Sequence, residues 1–268
     1  MLKNIKIVIL SMLLLIWGSC IAFGITEINE LDGDGHPMVV LLVMDVGGSP
    51  AYRCTGTLLS PRVLLTAGHC TYNEPGAEFT GMRVFTESDV ENGTNNYPLS
   101  GPNTVEAVSW ATHPEFAMES YVEHDVGVVL LGAPIELSAY GVLPEVDQLD
   151  ALKTKRGLQD TSFTAVGYGL QRINPVFVES EKVRMVAYPY LVQINVPGLT
   201  GDYSLMLSNN HATGGTCFGD SGGPNFLGDT NIVAGVTSFG LNNNCVGTGG
   251  VFRMDRQDVL DFVYPYLP

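Results

Sequence analysis

The segment Gly219–Pro224 reads GDSGGP and combines one serine with three glycines. Glycines allow the backbone to curl sharply, so the N–H groups of Gly219 and Ser221 can point at one developing negative charge. Ser221 then stands on the crest of the turn as a candidate nucleophile. A plain glycine-rich turn is the alternative interpretation, because a serine nucleophile also needs a base and a group that orients this base.

Two earlier segments carry residues that suit those roles. Leu64–Cys70 reads LLTAGHC, where an apolar stretch leads through small residues to His69. His124–Leu131 reads HDVGVVLL, where Asp125 opens a strongly apolar stretch. A carboxylate beside a buried strand is costly without a partner, and an imidazole N–H is a suitable partner. Taken singly, His69 fits an ordinary loop histidine and Asp125 fits a turn residue at the start of a strand.

Together the three segments resemble the chymotrypsin/trypsin family of serine proteases. They occur in the family's order, with 56 residues from His69 to Asp125 and 96 residues from Asp125 to Ser221. The resemblance implies that Ser221 is the nucleophile, that His69 is its base and that Asp125 orients the imidazole. It also implies an oxyanion hole formed by the N–H groups of Gly219 and Ser221. Smaller matches are Cys54 ahead of Thr57–Leu59, His113-Pro114, Gly167–Gly169 and Ser238–Gly240.

The rest of the chain predicts an all-β fold. One amphipathic stretch, Arg256–Tyr264, predicts a short C-terminal helix. The resemblance implies two antiparallel six-stranded β-barrels, 25–140 and 141–268, that together form one peptidase domain with the active site in the cleft between them. The polar stretch 133–155 is the candidate linker. Short apolar segments predict strands at Met38–Met44, Thr57–Leu59, Val63–Thr66, Val126–Leu131, Ser162–Val166, Lys182–Val186 and Ile232–Ser238.

The N-terminus has the pattern of an export signal. Lys3 and Lys6 precede the apolar stretch Ile7–Trp17, and the small residues Ala22 and Gly24 follow at the spacing of a cleavage site. Residues 1–24 are therefore predicted to be a signal peptide, and the protein is expected to be secreted, or periplasmic in a Gram-negative bacterium. A membrane anchor is the alternative, but the apolar stretch is shorter than the roughly 20 residues of a span. A lipoprotein signal ending at Cys20 is a third interpretation.

The number and spacing of the cysteines narrow the class of protein further. After signal removal, four cysteines remain, namely Cys54, Cys70, Cys217 and Cys245. Two disulfides are expected, three pairings are open, and neighbours in sequence are the simplest choice. A zinc site is the alternative, but close pairs such as CxxC are absent from the sequence. The resemblance places Cys217 and Cys245 where the family braces its specificity pocket.

The formal net charge of −15 argues against nucleic-acid or anionic membrane partners. The resemblance implies a protein or peptide substrate and protein inhibitors as candidate partners, and no cofactor or metal is expected. Calcium binding by Glu87, Asp89 and Glu91 is a weaker alternative, because acidic loops are commonly just solvated. Asn92 begins a glycosylation sequon, which matters only in a host that glycosylates.

Substrate preference is expected to depend on uncharged residues. Trypsin has an aspartate six residues before its serine, whereas this chain has Gly215 there. The chain therefore lacks a carboxylate at that point for a Lys or Arg side chain, and large apolar residues are the expected preference. A glutamate preference through Thr216 is the alternative, although Thr237 stands where such pockets carry a histidine. The predicted substrate-binding residues are Gly215, Thr216, Ser238, Phe239, Gly240 and Gly250.

Activation is expected to involve the new N-terminus. Family members pair a freed amine with the aspartate before the serine, which is Asp220 here. This chain lacks the usual IVGG motif, and family spacing points to Ile25 instead. Cleavage after Gly24 would release the Ile25 amine, whereas cleavage after Ala22 would leave it unformed.

The competing function is a catalytically silent homologue that acts as a binding protein, but such proteins usually lack the His or the Ser that this chain keeps.

Overall fold

The computed structural model describes residues 30–120, 122–152, 154, 160–174 and 177–268. The predicted signal peptide, 1–24, and Ile25 lie outside the described residues. No helix in the described ranges is long and apolar enough to cross a membrane.

A closed six-stranded antiparallel barrel forms the first unit. The strands pair in the order β2-β3-β4-β7-β6-β5. Strand β2 is buried along nearly its whole length, because apolar residues on both of its faces pack inside the molecule. The two-residue strand β1, Glu30–Leu31, precedes the barrel but pairs elsewhere. The barrel strands are β2 (Val39–Val46), β3 (Ser49–Ser60), β4 (Val63–Thr66), β5 (Phe79–Phe85), β6 (Thr104–Thr112) and β7 (Gly127–Leu131).

The second unit is an eight-stranded antiparallel sheet. Besides β1, its strands are β8 (Phe163–Gly167), β11 (Met185–Ala187), β12 (Leu191–Val196), β13 (Gly201–Asn209), β14 (Pro224–Leu227), β15 (Val233–Gly240) and β16 (Gly247–Arg253). The strands β9 (Arg172–Asn174) and β10 (Phe177–Glu179) pair only with each other and form a separate two-stranded sheet. The order is β1-β11-β8-β14-β15-β16-β13-β12. Only three residues separate β11 and β12, which lie near opposite ends of the sheet. The sheet must therefore curl back on itself, and a bridge between Ser162 and Tyr190 helps to close it.

A C-terminal helix fastens the two units together. Helix α1, Gln257–Val263, buries Val259, Leu260 and Val263. Val259 and Val263 belong to one apolar cluster that includes residues of the barrel and of the curled sheet. The helix, the barrel and the curled sheet therefore share one hydrophobic core.

The all-β fold with two β units and a short C-terminal helix is confirmed. The second unit differs from the expected six-stranded barrel because it is a curled eight-stranded sheet with β1 and β12 as its outermost strands. The predicted segments coincide with parts of strands β2, β3, β4, β7, β8, β11 and β15 and with helix α1. The strands β5, β6, β12, β13, β14 and β16 were not predicted, since polar residues and glycines interrupt their apolar pattern.

Two disulfides join cysteines that are neighbours in sequence. Cys54 and Cys70 are bonded across 16 residues, and Cys217 and Cys245 across 28 residues. The first bond links strand β3 to the turn that carries His69. The second links the segment before Ser221 to the loop between β15 and β16, which lies beside the cavity. Each bond therefore restrains one side of the candidate site.

Candidate active site

His69 and Ser221 line one cavity between the barrel and the curled sheet. The cavity has a volume of about 410 Å³, and the predicted residues Thr216, Ser238, Phe239 and Gly240 also line it. Met118 contributes from the barrel side, and Asn209 and Thr248 contribute from the sheet. The structure therefore brings together residues that are far apart in the sequence.

His69 is held against Asp125 by three hydrogen-bond contacts. It sits in a short 3-10 turn, Gly68–Cys70, directly after β4. Its Nδ1 lies 2.9 Å from Asp125 Oδ2 and 3.1 Å from Oδ1, while its backbone N–H donates to Asp125 Oδ1 at 2.8 Å. The Asp125 side chain has no exposure to solvent. Nδ1 must therefore carry a proton for this contact, which leaves Nε2 free to accept one.

Opposing effects act on the pKa of the His69 imidazole. Burial lowers the pKa, but the negative charge of Asp125 and its hydrogen bond raise it, and the net result is a pKa above the usual 6.5. Asp125 therefore stabilises the protonated, cationic form of the imidazole. This is the behaviour that a general base next to a serine requires.

Ser238 has a contact that the sequence did not predict. Its hydroxyl donates to Asp125 Oδ2 at 2.6 Å, from strand β15 of the curled sheet. The family resemblance implied only a substrate-binding role, and no sequence signal links this serine to an aspartate 113 residues away. The second unit therefore helps to position the aspartate that the first unit supplies.

The turn around Ser221 depends on glycines in left-handed conformations. Gly219 has φ +99° and Gly222 has φ +79°, both disfavoured for residues with a Cβ. A Cβ on Gly222 would also lie 2.0 Å from Thr66 Oγ1. Thr55 holds the turn from the barrel, because its N–H donates to the Ser221 carbonyl at 2.8 Å and its hydroxyl to the Gly219 carbonyl at 2.9 Å. Both carbonyls are therefore directed into the protein.

Asp220 is a fully buried carboxylate beside this turn. It accepts N–H groups from Gly169 at 2.7 Å and from Cys217 at 2.9 Å. Burial raises its pKa to about 6, although these two hydrogen bonds and the charge of Arg53 lower it. Ile25, its predicted partner, lies outside the described residues.

The pocket differs from the open glycine-lined space that the sequence predicted. A Cβ on Gly215 would lie 2.4 Å from the Cγ of Asn209, and a Cβ on Gly250 would lie 2.4 Å from the Phe239 ring. The space beside both glycines is therefore filled by these side chains. Asn209 is 1% exposed, and its amide donates to the Thr216 carbonyl at 2.8 Å. Its contribution was missed because strand β13 carries no recognisable motif.

Neither metal alternative gains support from the geometry. The sulfurs of Cys54 and Cys70 near His69 are bonded to each other and are unavailable as ligands. Glu87 of the acidic loop accepts hydrogen bonds from the Thr94 N–H and from the side-chain amides of Asn95 and Asn103. Glu87 is thus engaged by hydrogen bonds within its own loop.

Comparison with known proteins identifies the family. The Trypsin family profile matches residues 27–260, so the chain belongs to the Trypsin family of serine proteases. It is 29% identical over 198 residues to Brachyurin of Leptuca pugilator, covering 72% of this chain and 78% of Brachyurin. It is 28% identical over 221 residues to Trypsin of Saccharopolyspora erythraea, covering 81% and 87%.

A solved structure shares the fold. The structure described as HL collagenase superposes with a TM-score of 0.67 at 19% identity, covering 90% of this chain and 97% of its own. At this identity the likeness concerns the fold alone. The family assignment supports a serine endopeptidase with protein or peptide substrates.

The charge of Asp125 is expected to control the titration of His69. In a Ser221→Ala background, proton NMR should show the His69 imidazole titrating above 6.5, because Asp125 raises its pKa. Replacing Asp125 with Asn removes the charge but keeps the size, and the pKa of His69 should fall. Asp34→Asn, which removes an exposed carboxylate outside the cavity lining, is the matched control and should leave the titration unchanged. An unchanged His69 titration in Asp125→Asn would contradict the assignment.

Proposed function

We propose that this protein is a serine endopeptidase that cleaves peptide bonds through an acyl-enzyme on Ser221. The observation that carries the proposal is the buried Asp125 carboxylate, hydrogen-bonded to His69 Nδ1 in the cavity that Ser221 also lines. This arrangement fixes the tautomer of His69 that accepts a proton at Nε2. A binding protein would have no need of such a costly buried charge.

The proposed reaction has two steps, acylation and deacylation of Ser221, which use the same groups. Ser221 Oγ attacks the scissile carbonyl while His69 Nε2 takes its proton, and the imidazolium is stabilised by Asp125. The N–H groups of Gly219 and Ser221 receive the oxyanion. His69 then gives its proton to the leaving amine, which departs and leaves the acyl-enzyme. A water that enters loses a proton to His69 and attacks the ester carbonyl. His69 then returns this proton to Ser221 Oγ as the ester bond breaks and the carboxylic acid is released.

Replacing Ser221 with Ala should lower turnover by several orders of magnitude and leave the fold intact, because the nucleophile is lost without a change in packing. Peptide hydrolysis and circular dichroism of the two proteins measure this. A fluorophosphonate probe should label the wild-type chain and not the variant. Ser180→Ala, a serine that hydrogen-bonds Arg53, serves as the control and should retain labelling. Turnover near that of the wild type in Ser221→Ala would refute the mechanism and favour the silent binding protein.

The pocket supports a preference for large uncharged side chains before the scissile bond. Its lining includes the neutral residues Asn209, Thr216 and Thr248, together with the ring of Phe239. Because Asn209 stands against Gly215, the pocket floor is neutral and polar where trypsin has a carboxylate. A substrate Lys or Arg would therefore lose its hydration without gaining a counter-charge.

Matched peptides with Phe, Leu, Arg or Glu before the scissile bond should give a kcat/KM that is highest for Phe or Leu. Gly215→Asp alone should not create activity on Arg, because its Cβ would lie 2.4 Å from Asn209 Cγ. Combining it with Asn209→Gly should raise the Arg-to-Phe ratio at least about tenfold, since a buried carboxylate then has both space and a partner. Asn209→Gly alone is the matched control. Fast cleavage after Arg by the wild-type chain, with none after Phe, would contradict this preference.

The N-terminal amine of Ile25 is the partner that we propose for Asp220 after cleavage following Gly24. The pKa of Asp220, raised from 3.8 to about 6, means that ionisation of the carboxyl destabilises the folded protein as the pH rises through this interval. A buried amine would favour the ionised form and remove this cost. It would also hold the turn from which the Gly219 and Ser221 N–H groups project.

N-terminal sequencing of the active protein should begin at Ile25. A variant with one extra residue before Ile25 should lose most of its activity, because its amine no longer reaches Asp220. Breaking such a buried pair typically costs about 3–5 kcal/mol. An Ile25→Val protein, which keeps the amine in place, is the control and should remain active. A different mature N-terminus, or full activity of the extended variant, would rule out this pairing.

The remaining expectations complete the proposal. Residues 1–24 would be removed during export, and 25–140 and 141–268 would act as two halves of one secreted or periplasmic peptidase. Protein inhibitors that present an extended segment to the cavity are candidate partners, and Ser238–Gly240 would pair with the backbone of such a segment or of a substrate. Nucleic acid and membranes are not expected partners of a chain with a net charge of −15.

A further inference from the structure

A second cluster of ionisable residues includes His124, which directly precedes Asp125. His124 Nε2 lies 3.2 Å from Glu115 Oε2 and 3.1 Å from Asp258 Oδ2. The ligand atoms of the three residues all lie within 4.8 Å of one another. Glu115 and Asp258 thus direct two carboxylates at one imidazole nitrogen. The mechanism proposed above uses none of these side chains.

The imidazole of His124 is held in place by aromatic neighbours. The His113 ring stacks on it with a centroid distance of 4.8 Å and an interplanar angle of 16°. The Tyr203 ring also lies 4.8 Å away, and its hydroxyl donates to Asp258 Oδ2 at 3.1 Å. A hydroxyl that orients a carboxylate in this way is typical of the residues that surround metal ligands. His124 also has φ +50°, so its backbone is fixed in a conformation that few residues adopt.

The spacing of these atoms suits a tetrahedral metal ion. Zn–N and Zn–O bonds of about 2.0–2.1 Å place ligand atoms about 3.3 Å apart in a tetrahedron. The two contacts of His124 Nε2, at 3.1 and 3.2 Å, are close to this separation. The Glu115 side chain is 69% exposed, so its carboxylate can rotate to bring the distance between its oxygen and that of Asp258, now within 4.8 Å, to about the same value. The fourth position would be left to water.

We propose that His124, Glu115 and Asp258 form a zinc site that fastens helix α1 to the barrel. Glu115 lies between β6 and β7, His124 precedes β7, and Asp258 lies in the first turn of α1. One ion would therefore join the two units through three residues, of which His124 directly precedes Asp125. One imidazole with two carboxylates favours a divalent transition metal over calcium, which requires six to eight oxygens.

Thermal unfolding of the mature chain in a Ser221→Ala background, which prevents self-cleavage, tests the site independently of the proposed proteolysis. Zinc in about 100-fold excess over its Kd should raise the Tm by about 5 °C or more, because it binds the folded state only. Glu115→Gln and Asp258→Asn should each weaken zinc binding at least about tenfold in a chelator-competition titration. Because Glu115 is exposed, we expect Glu115→Gln to fold normally. The Tm of each variant without metal checks that it is folded.

Two controls test imidazoles outside the cluster. His211→Gln changes an exposed histidine outside the cluster, and His69→Gln changes the histidine in the cavity. Both should keep the zinc-dependent rise in Tm. The proposal is overturned if the wild-type cluster shows no rise, if Glu115→Gln and Asp258→Asn leave zinc affinity unchanged, or if only His69→Gln abolishes binding. An equal rise with calcium would also overturn it, since that result indicates a simple acidic patch.

Discussion

The burial of the Asp125 carboxylate is the constraint on which the site depends. With no exposure to solvent, its oxygens require donors from the protein, and they receive them from His69 and Ser238. These donors come from opposite units, since His69 follows β4 of the barrel and Ser238 lies in β15 of the curled sheet. The same contacts therefore compensate a buried charge, orient an imidazole and hold β15 against the barrel. Loss of one donor weakens all three at once.

Thr55 performs a comparable task for the turn that carries Ser221. Its N–H and hydroxyl donate to the carbonyls of Ser221 and Gly219, and its own carbonyl accepts the Thr66 hydroxyl at 2.8 Å. Its hydroxyl also accepts the Tyr168 N–H at 3.1 Å. A barrel strand thus positions a turn that belongs to the second unit. The peptide planes that hold the Gly219 and Ser221 N–H groups are fixed separately, because their carbonyls, those of Phe218 and Asp220, accept the N–H groups of Leu170 and Gly223 at 2.9 and 2.8 Å.

The sequence predicted the parts of the site that depend on local chain conformation. Ser221 and its glycines form one short motif, and His69 and Asp125 each adjoin a continuous apolar strand, so all could be found without a fold. Asn209 could not, because its place against Gly215 results from the pairing of β13 with β16 and from no local pattern. The curled sheet was likewise underpredicted, since many of its strands owe their burial to partners that are distant in sequence.

The buried aspartates differ in whether an arginine neutralises their charge, and this difference bears on the chemistry of the candidate site. Asp32 and Asp255 are paired with the buried guanidinium groups of Arg184 and Arg253, at 2.7 and 2.8 Å. Such pairs leave the charges permanently satisfied, and they brace the fold. In the described residues, Asp125 and Asp220 contact no guanidinium or lysine amine and rely on N–H and O–H donors. A carboxylate compensated only by neutral donors retains its attraction for a cation. In the mechanism that we propose, Asp125 can therefore stabilise an imidazolium that forms and disappears in each turnover, which a carboxylate already neutralised by arginine would do far less well.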